Sequence, residues 1–504
     1  MVWNEFLYFF RALIGTPAIL IGIFGMIGSM LQRKTISQVI IATIKTITGF
    51  LILGGGASII ITSLNHFDTI FEAIFNLQGV VPNNEGVFGI LIESFPQIAT
   101  TASLIMILGM VCNILLAKFT QFKYVFLSGH VLFYMSAMLA AAMFQIGFVF
   151  QTDWWMIIII GGLFMGMYMI LTPLMCQKYM KSITKTDDIA MAHTGSLGYV
   201  LAGLIGSGIS RIKKGKVKST EDINFPKGLA FLRNGNVSVA ITMFFIFSIL
   251  YIAGWAVLGR SWFISQDIIG EEGSVIIEMI IRAFTFAAGM EVVLFGVRTV
   301  LGELLPAFKG ISDKWVKDGK AALDCPIVFP YAPNAVYIGF LSSLTAGILT
   351  MGLTIWWANI IPSAVVILPG IIAHFFTGAT AGVFGNAKGG ILGAIFGSFV
   401  NGIIITLVPL IFIMLSLIPS SSNNVENMSW GDSDYIFGLL IGLFTFFSNP
   451  ILIKWLVFGI WVFIFIIFIV ACQTKYWLDV KNKKIIRMSK AEKQEKKQEP
   501  KNKE

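Results

Sequence analysis

The sequence predicts an all-α fold, a polytopic membrane bundle of about 11 transmembrane helices with re-entrant segments and an inverted repeat. Of its 504 residues, 56% are hydrophobic and only 12% are charged, too little polar surface to cover a soluble globule of this length. The mean hydropathy is +0.82. The apolar residues fall in continuous runs of helical length, without the apolar/polar alternation of a barrel strand. Polar breaks rich in proline and glycine interrupt these runs, and at membrane depth broken backbone is tolerated only where it is buried in protein or lines a cavity.

Residues 6–31 read as the first span. Arg33 and Lys34 directly behind it place that end in the cytoplasm under the positive-inside rule, with the N-terminus outside. The opening Met-Val-Trp-Asn-Glu carries no lysine or arginine, and no small-residue cleavage site follows a short core. The run is therefore expected to be a retained span and not a signal peptide. Residues 36–64 return outward through Gly54, Gly55 and Gly56, where missing side chains allow close helix approach, and Lys45 is expected to snorkel. Residues 65–96 look too polar to span, with His66 in an exposed loop and 79–85 as a turn dipping into the protein. Spans at 97–116, 124–150 and 154–175 follow. Residues 189–209 are apolar, but Lys178, Lys181 and Lys185 precede them and Arg211, Lys213, Lys214, Lys216 and Lys218 follow. Basic residues on both sides predict a re-entrant hairpin that enters and leaves on one face.

The chain therefore divides into a first half at 1–210, a basic cytoplasmic linker at 211–233, a second half at 234–472 and a charged cytoplasmic tail at 473–504, solvated or disordered. Spans in the second half fall at 237–258, 274–306, 335–357, 361–376, 391–418 and 451–472, with 435–447 along or across the membrane. An odd number of crossings in the first half inverts the second, the arrangement common in transporters. Polar breaks at His193–Gly208 and Gly385–Gly402 read as one corresponding pair, and Ser128–His130 with Ala332–Asn334 as another.

Asp324 to Phe340 is the sharpest break. Pro326, Pro330 and Pro333 each lack an N–H and fix φ, so this backbone is broken or extended. Asp324 and Asn334 flank it, as carboxylates and amides flank substrate sites in transporters. His130 and His193 lie beside glycine breaks and are expected to hydrogen-bond a polyhydroxylated substrate, whereas His374 sits in an unbroken run and reads as structural. Glu278 and Arg282 are four apart on one helix and are expected to pair, with Glu291, Arg298 and Glu303 more loosely associated. The four cysteines show no disulfide or metal-ligand spacing. The net charge of +9 sits in short loops and one tail, which argues against nucleic acid. No Gly-x-x-x-x-Gly-Lys-[Ser/Thr] sequence is present, so the chain is not itself an ATP-driven pump. No cofactor, metal or catalytic residue is expected.

Gly296-Val-Arg-Thr-Val-Leu-Gly-Glu-Leu-Leu-Pro-Ala-Phe-Lys-Gly-Ile-Ser312, Ala322-Leu-Asp-Cys325, Ala332-Pro-Asn-Ala-Val336, Ile44-Lys-Thr-Ile-Thr-Gly-Phe50 and Ser128-Gly-His-Val-Leu-Phe133 resemble the ascorbate-specific IIC permease of the bacterial phosphotransferase system. The resemblance runs from the first span to about Ile466. It implies a homodimer in the bacterial cell membrane, each subunit with a scaffold and a substrate-carrying core that moves across the membrane. It implies uptake of L-ascorbate or a related sugar acid, trapped by separate IIB and IIA proteins, the phosphoryl group coming from a IIB phosphocysteine. Substrate contacts are implied at Asn84 and Glu85, at His130, Val131, Leu132, Phe133 and Tyr134, at His193 and Thr194, and at Asp324. Tyr134 and Thr194 stand where the ascorbate type carries glutamine.

Overall fold

The computed structural model describes residues 17–77, 79–223, 235–361, 365–418, 428–442 and 451–472. Residues 1–16, 224–234 and 473–504 lie outside it, and with them the expectations for the chain's start, the rest of the basic linker and the tail. Among the described residues seven helices are long and apolar enough to cross a membrane, and three shorter apolar helices accompany them. The fold is an all-α polytopic membrane bundle.

The first half opens with α1 (Pro17–Leu31) and α2 (Ile36–Phe75). A capping box between Thr35 and Gln38 starts α2, and Asn76 ends it in the left-handed conformation, φ 51°. Helix α2 thus continues a full three turns past residue 64. His66, expected in an exposed loop, is a helical residue whose Nδ1 lies 3.4 Å from Glu278. The chain then forms β1 (Gly79–Pro82), α3 (Asn84–Ser94), α4 (Pro96–Phe119), β2 (Tyr124–Phe126), α5 (Gly129–Gln145), α6 (Phe150–Thr184), β3 (Ile189–Met191) and α7 (Ser196–Ile212). The stretch expected as a re-entrant hairpin, 189–209, holds β3 and most of α7.

The second half repeats this order. It runs α8 (Gly235–Leu258), the short α9 (Arg260–Ser265), α10 (Val275–Trp315), β4 (Lys320–Leu323), a 3₁₀ segment (Cys325–Tyr331) and α11 (Pro333–Ala358). After β5 (Val366–Ile367), a helical turn (Ile371–Ala373) and a π turn (His374–Gly378) lead into α12 (Ala379–Met414). Next come β6 (Met428–Ser429), a 3₁₀ turn (Ser433–Tyr435) and α13 (Ile436–Gly442), and α14 (Ile451–Cys472) closes the described chain. Helices α2 and α10 are 40 and 41 residues long, and α6 and α12 are 35 and 36. Proline opens both α4 and α11, the first-turn position where its missing N–H has no helical partner anyway.

Six short strands make two parallel three-stranded sheets, in the orders β5-β1-β6 and β2-β4-β3. The central strand of each sheet comes from one half and both its neighbours from the other. Strands begin at 79, 124 and 189 in the first half and at 320, 366 and 428 in the second, a near-equal spacing that gives the inverted repeat its register. The correspondence differs from the one read off the glycine breaks. Residues after β3, including His193, match those after β6, while Gly385–Gly402 lies inside α12 and matches α6. Glycine density there marks close packing, since a Cβ on Gly206 of α7 would lie 2.4 Å from the Gly385 carbonyl of α12, and the stretch also holds the expected break, because Gly390 (φ 60°, ψ −150°) kinks α12.

Helices α1, α2, α8 and α10 pack as one bundle, and α4 to α7 pack with α11 and α12 as another that carries both sheets. Several ionisable groups of the first bundle pair internally, with Glu303 facing lysines and not the Arg298 expected near it. Arg282 Nε lies 2.5 Å from Glu278, and Glu303 faces Lys34 at 3.4 Å and Lys45 at 3.6 Å. The described part of the basic linker, 211–223, is fastened to the second bundle. Asn334 Nδ2 donates to the carbonyls of Thr220 and Ile223, and Glu221 accepts the backbone N–H groups of Asn334 and Ala335, capping the start of α11. Asn334 therefore satisfies backbone.

Candidate functional site

Five of the six strands, β1, β2, β3, β4 and β6, deliver the chain into one polar cluster, because a short parallel strand ends where a helix or turn begins. The strand ladder reaches into the cluster itself, since Asn83 N–H donates to the Ser429 carbonyl and Ala192 N–H to the Leu323 carbonyl, both at 2.8 Å.

Asp324 follows β4 and caps the proline-rich 3₁₀ segment. Its Oδ1 accepts the Cys325 N–H at 2.8 Å, and its Oδ2 faces His130 Nε2 at 3.4 Å. His193 follows β3, and its Nε2 lies 3.9 Å from Asp324 Oδ1. The other nitrogen of His193 is occupied. Its Nδ1 accepts the Gly195 N–H at 3.0 Å and meets the Tyr199 hydroxyl at 2.8 Å. An atom that accepts a backbone N–H carries no proton, so the neutral ring holds its hydrogen on Nε2, toward Asp324. Sequence reading thus brings together His130, His193 and Asp324, three residues more than 60 positions apart, and the fold places them around one point.

Thr194 is buried, and its hydroxyl donates to Asp432. Asn84 faces the same region, but its Oδ1 accepts the Gly431 N–H at 2.7 Å, which braces the segment after β6. Glu85, in the first turn of α3, is buried with Oε2 lacking a hydrogen-bond partner, and it lies within electrostatic reach of Asp432 and Asp324. Tyr134 stands edge-on to His130 at 5.8 Å between ring centroids, and its buried hydroxyl also lacks a partner. Val131, Leu132 and Phe133 are not brought to the cluster by their side chains. All three are buried in apolar packing, with the Phe133 ring 4.7 Å from Phe88.

The scan of known families matches the chain over residues 12–434 to the sugar-specific permease component of the phosphotransferase system. The chain belongs to this family. A curated relative, the ascorbate-specific phosphotransferase EIIC component of Mycoplasma pneumoniae, is 23% identical over 425 residues, which cover 75% of this chain and 62% of that protein. The chain thus spans about three-fifths of the relative's length.

Within this permease fold, the segment Trp430-Gly-Asp-Ser-Asp-Tyr435 after β6 was not marked by sequence reading. Asp432 is 2% exposed and Asp434 is fully buried, so both belong to the site region and not to a loop. Asp432 lies 3.8 Å from His193 Nδ1. Asp434 accepts the Tyr168 hydroxyl at 2.7 Å and the Leu197 N–H at 2.8 Å, and Ser433 Oγ accepts the Gly198 N–H at 3.1 Å. This turn therefore caps α7 and holds the His193 segment in place. The inverted repeat carried the missed signal, because the position matching His193 falls after β6. Side-chain ligand atoms of His193, Asp324 and Cys325 lie within 4.8 Å of one another. The Cys325 amide donates to Asp324 Oδ1, and both imidazoles stand 3.4–3.9 Å from the carboxylate. His374, by contrast, pairs its Nδ1 with Ser343 at 2.8 Å between α11 and the π turn, a helix-packing contact.

Proposed function

We propose that this chain is the translocation subunit of a phosphotransferase system that takes up L-ascorbate or a closely related sugar acid. The convergence of His130, His193 and Asp324 at the ends of the three paired strands β2, β3 and β4 carries the reading. Imidazole and carboxylate offer donors and acceptors at spacings that a ring hydroxyl bridges, and the site lies where inverted-repeat carriers hold their substrates. Family membership and the name of the Mycoplasma pneumoniae relative support the substrate class.

In this reading Nε2–H of His193 donates to a substrate oxygen, Asp324 accepts from hydroxyls, and His130 and Tyr134 line the same face. The bundle carrying the two sheets moves against the bundle of α1, α2, α8 and α10, exposing the site to each side in turn. Separate IIB and IIA proteins phosphorylate the sugar on the cytoplasmic side, so the chain itself performs no phosphoryl transfer. The permease works as a homodimer in the bacterial cell membrane, with its N-terminus outside and its C-terminus in the cytoplasm.

The test is uptake of labelled L-ascorbate by vesicles holding the full chain and matched IIB and IIA proteins. Uptake that needs IIB and is lost in Asp324→Ala supports the assignment. Undiminished uptake by Asp324→Ala removes the site, and uptake driven by an ion gradient without IIB assigns the chain to ion-coupled carriers instead.

A further inference from the structure

The cluster holds three carboxylates, Glu85, Asp324 and Asp432, and two imidazoles, His130 and His193. Among the described residues, the ion pairs made by Asp324 and Asp432 are to imidazoles alone, and Glu85 makes none. Arg298 on α10 is the guanidinium within electrostatic reach, and it acts on His130 and Tyr134. Several other charged groups on packed elements are engaged elsewhere. Lys45 and His66 of α2 face Glu303 and Glu278, and Arg282 of α10 also holds Glu278. Helix α4 offers no titratable side chain before Cys112. From α5 and the turn after β6, the titratable groups facing Glu85 are Tyr134, Asp432 and Tyr435.

His193 Nδ1 is already taken up by the Gly195 N–H and the Tyr199 hydroxyl. Glu85 differs in kind, because its Oε2 is buried with no partner and its own backbone N–H is the group that favours its charge. An ionised carboxylate so placed is held against two others, and like charges sharing a site do not all ionise. Bringing an anionic substrate into the same cluster sharpens the conflict.

We propose that the site takes up one proton together with an anionic substrate, and that Glu85 carries it. The inference rests on the sugar-acid reading above. Protonated, Glu85 needs no countercharge, and its O–H becomes a donor to a substrate oxygen.

The experiment is calorimetric titration of the full-length solubilised protein with L-ascorbate, from neutral pH upward, in buffers of different ionisation enthalpy. The expected result is proton uptake that rises toward one per bound anion on the alkaline side, where free Glu85 is ionised, with affinity there falling about tenfold per pH unit. In Glu85→Gln the uptake is expected to fall to about zero and the affinity to lose its pH dependence. The uncharged 3-O-methyl ether of ascorbate provides a second measurement on unaltered protein, and it is expected to bind without proton uptake. Ascorbate binding with no proton uptake overturns the proposal and leaves the substrate reading standing. Equal uptake with the ether, or undiminished uptake in Glu85→Gln, also overturns it. No binding of ascorbate at any pH removes both.

Discussion

His193 Nδ1 accepts the backbone N–H of Gly195 at 3.0 Å, which leaves the ring proton on Nε2, the atom that faces Asp324. The ring is thereby a fixed donor. Glutamine at this position can place an amide N–H near Nε2, whereas asparagine reaches only as far as Nδ1. If the chain takes the proposed sugar acid, His193→Gln is expected to keep part of the affinity for it and His193→Asn to lose roughly tenfold more, the worth of one hydrogen bond to a charged or polar partner. Binding titrations on the two variants check this, and equal losses would place the donor elsewhere.

The Thr194 hydroxyl donates to Asp432, which is 2% exposed. Removing a donor from a buried carboxylate leaves desolvation uncompensated. Thr194→Val, nearly isosteric, is expected to cost about 1–3 kcal/mol of stability, read as a lowered melting temperature in detergent. Thr194→Ser keeps the hydroxyl and is expected to melt near the parent. A Val variant as stable as the parent would show that Asp432 finds its hydrogen bonds elsewhere.

Prolines made the Asp324 segment legible in sequence, because a residue without an N–H constrains backbone wherever it stands. Seven of the apolar runs were equally plain from length and composition. The partners of Asp324 across the sheets were less so. Strands of two to four residues are too short for alternation to register, and their parallel pairing depends on contacts between halves. Asp432 and Asp434 drew no expectation because composition cannot distinguish a solvated carboxylate from a buried one held by Thr194, Tyr168 and Leu197. His66 was misplaced for a related reason. A histidine and an asparagine near the end of an apolar run resemble a loop, yet Glu278 on α10 gives His66 a partner inside the bundle.

Glu221 accepts the first backbone N–H groups of α11 from a 3₁₀ turn more than a hundred residues earlier, and Asn334 returns two hydrogen bonds to that turn. A surface linker would tolerate substitution here. This one is expected to lose about 1–2 kcal/mol in Glu221→Ala, the usual cost of an acidic N-terminal cap. Protease cleavage within 211–223 is expected to accelerate in the same variant. Unchanged melting and cleavage would show that the linker's attachment contributes nothing measurable.

Asp187 ties β3 to β4 from outside the membrane-spanning helices. Its carboxylate lies 2.8 Å from Lys181 and 2.7 Å from Lys320 and accepts from Gln177 at 2.9 Å. Burial works against its charge, but these hydrogen bonds outweigh it and hold the carboxyl well below the usual carboxylate range. A depressed folded-state value means that the contribution to stability is fully present above the unfolded value of about 3.9 and is lost as pH falls below it. The side chain is 46% exposed, so solvent and salt screen the pair, and Asp187→Asn is expected to cost under about 1 kcal/mol at neutral pH. The sign of the pH dependence is the sharper test. The stability gap between parent and Asp187→Asn is expected to close as pH falls from neutral into the acid range, and to narrow at high salt. A gap that widens toward acid would mean that Lys181 and Lys320 do not stabilise the charged form, and that strand pairing alone holds β3 against β4.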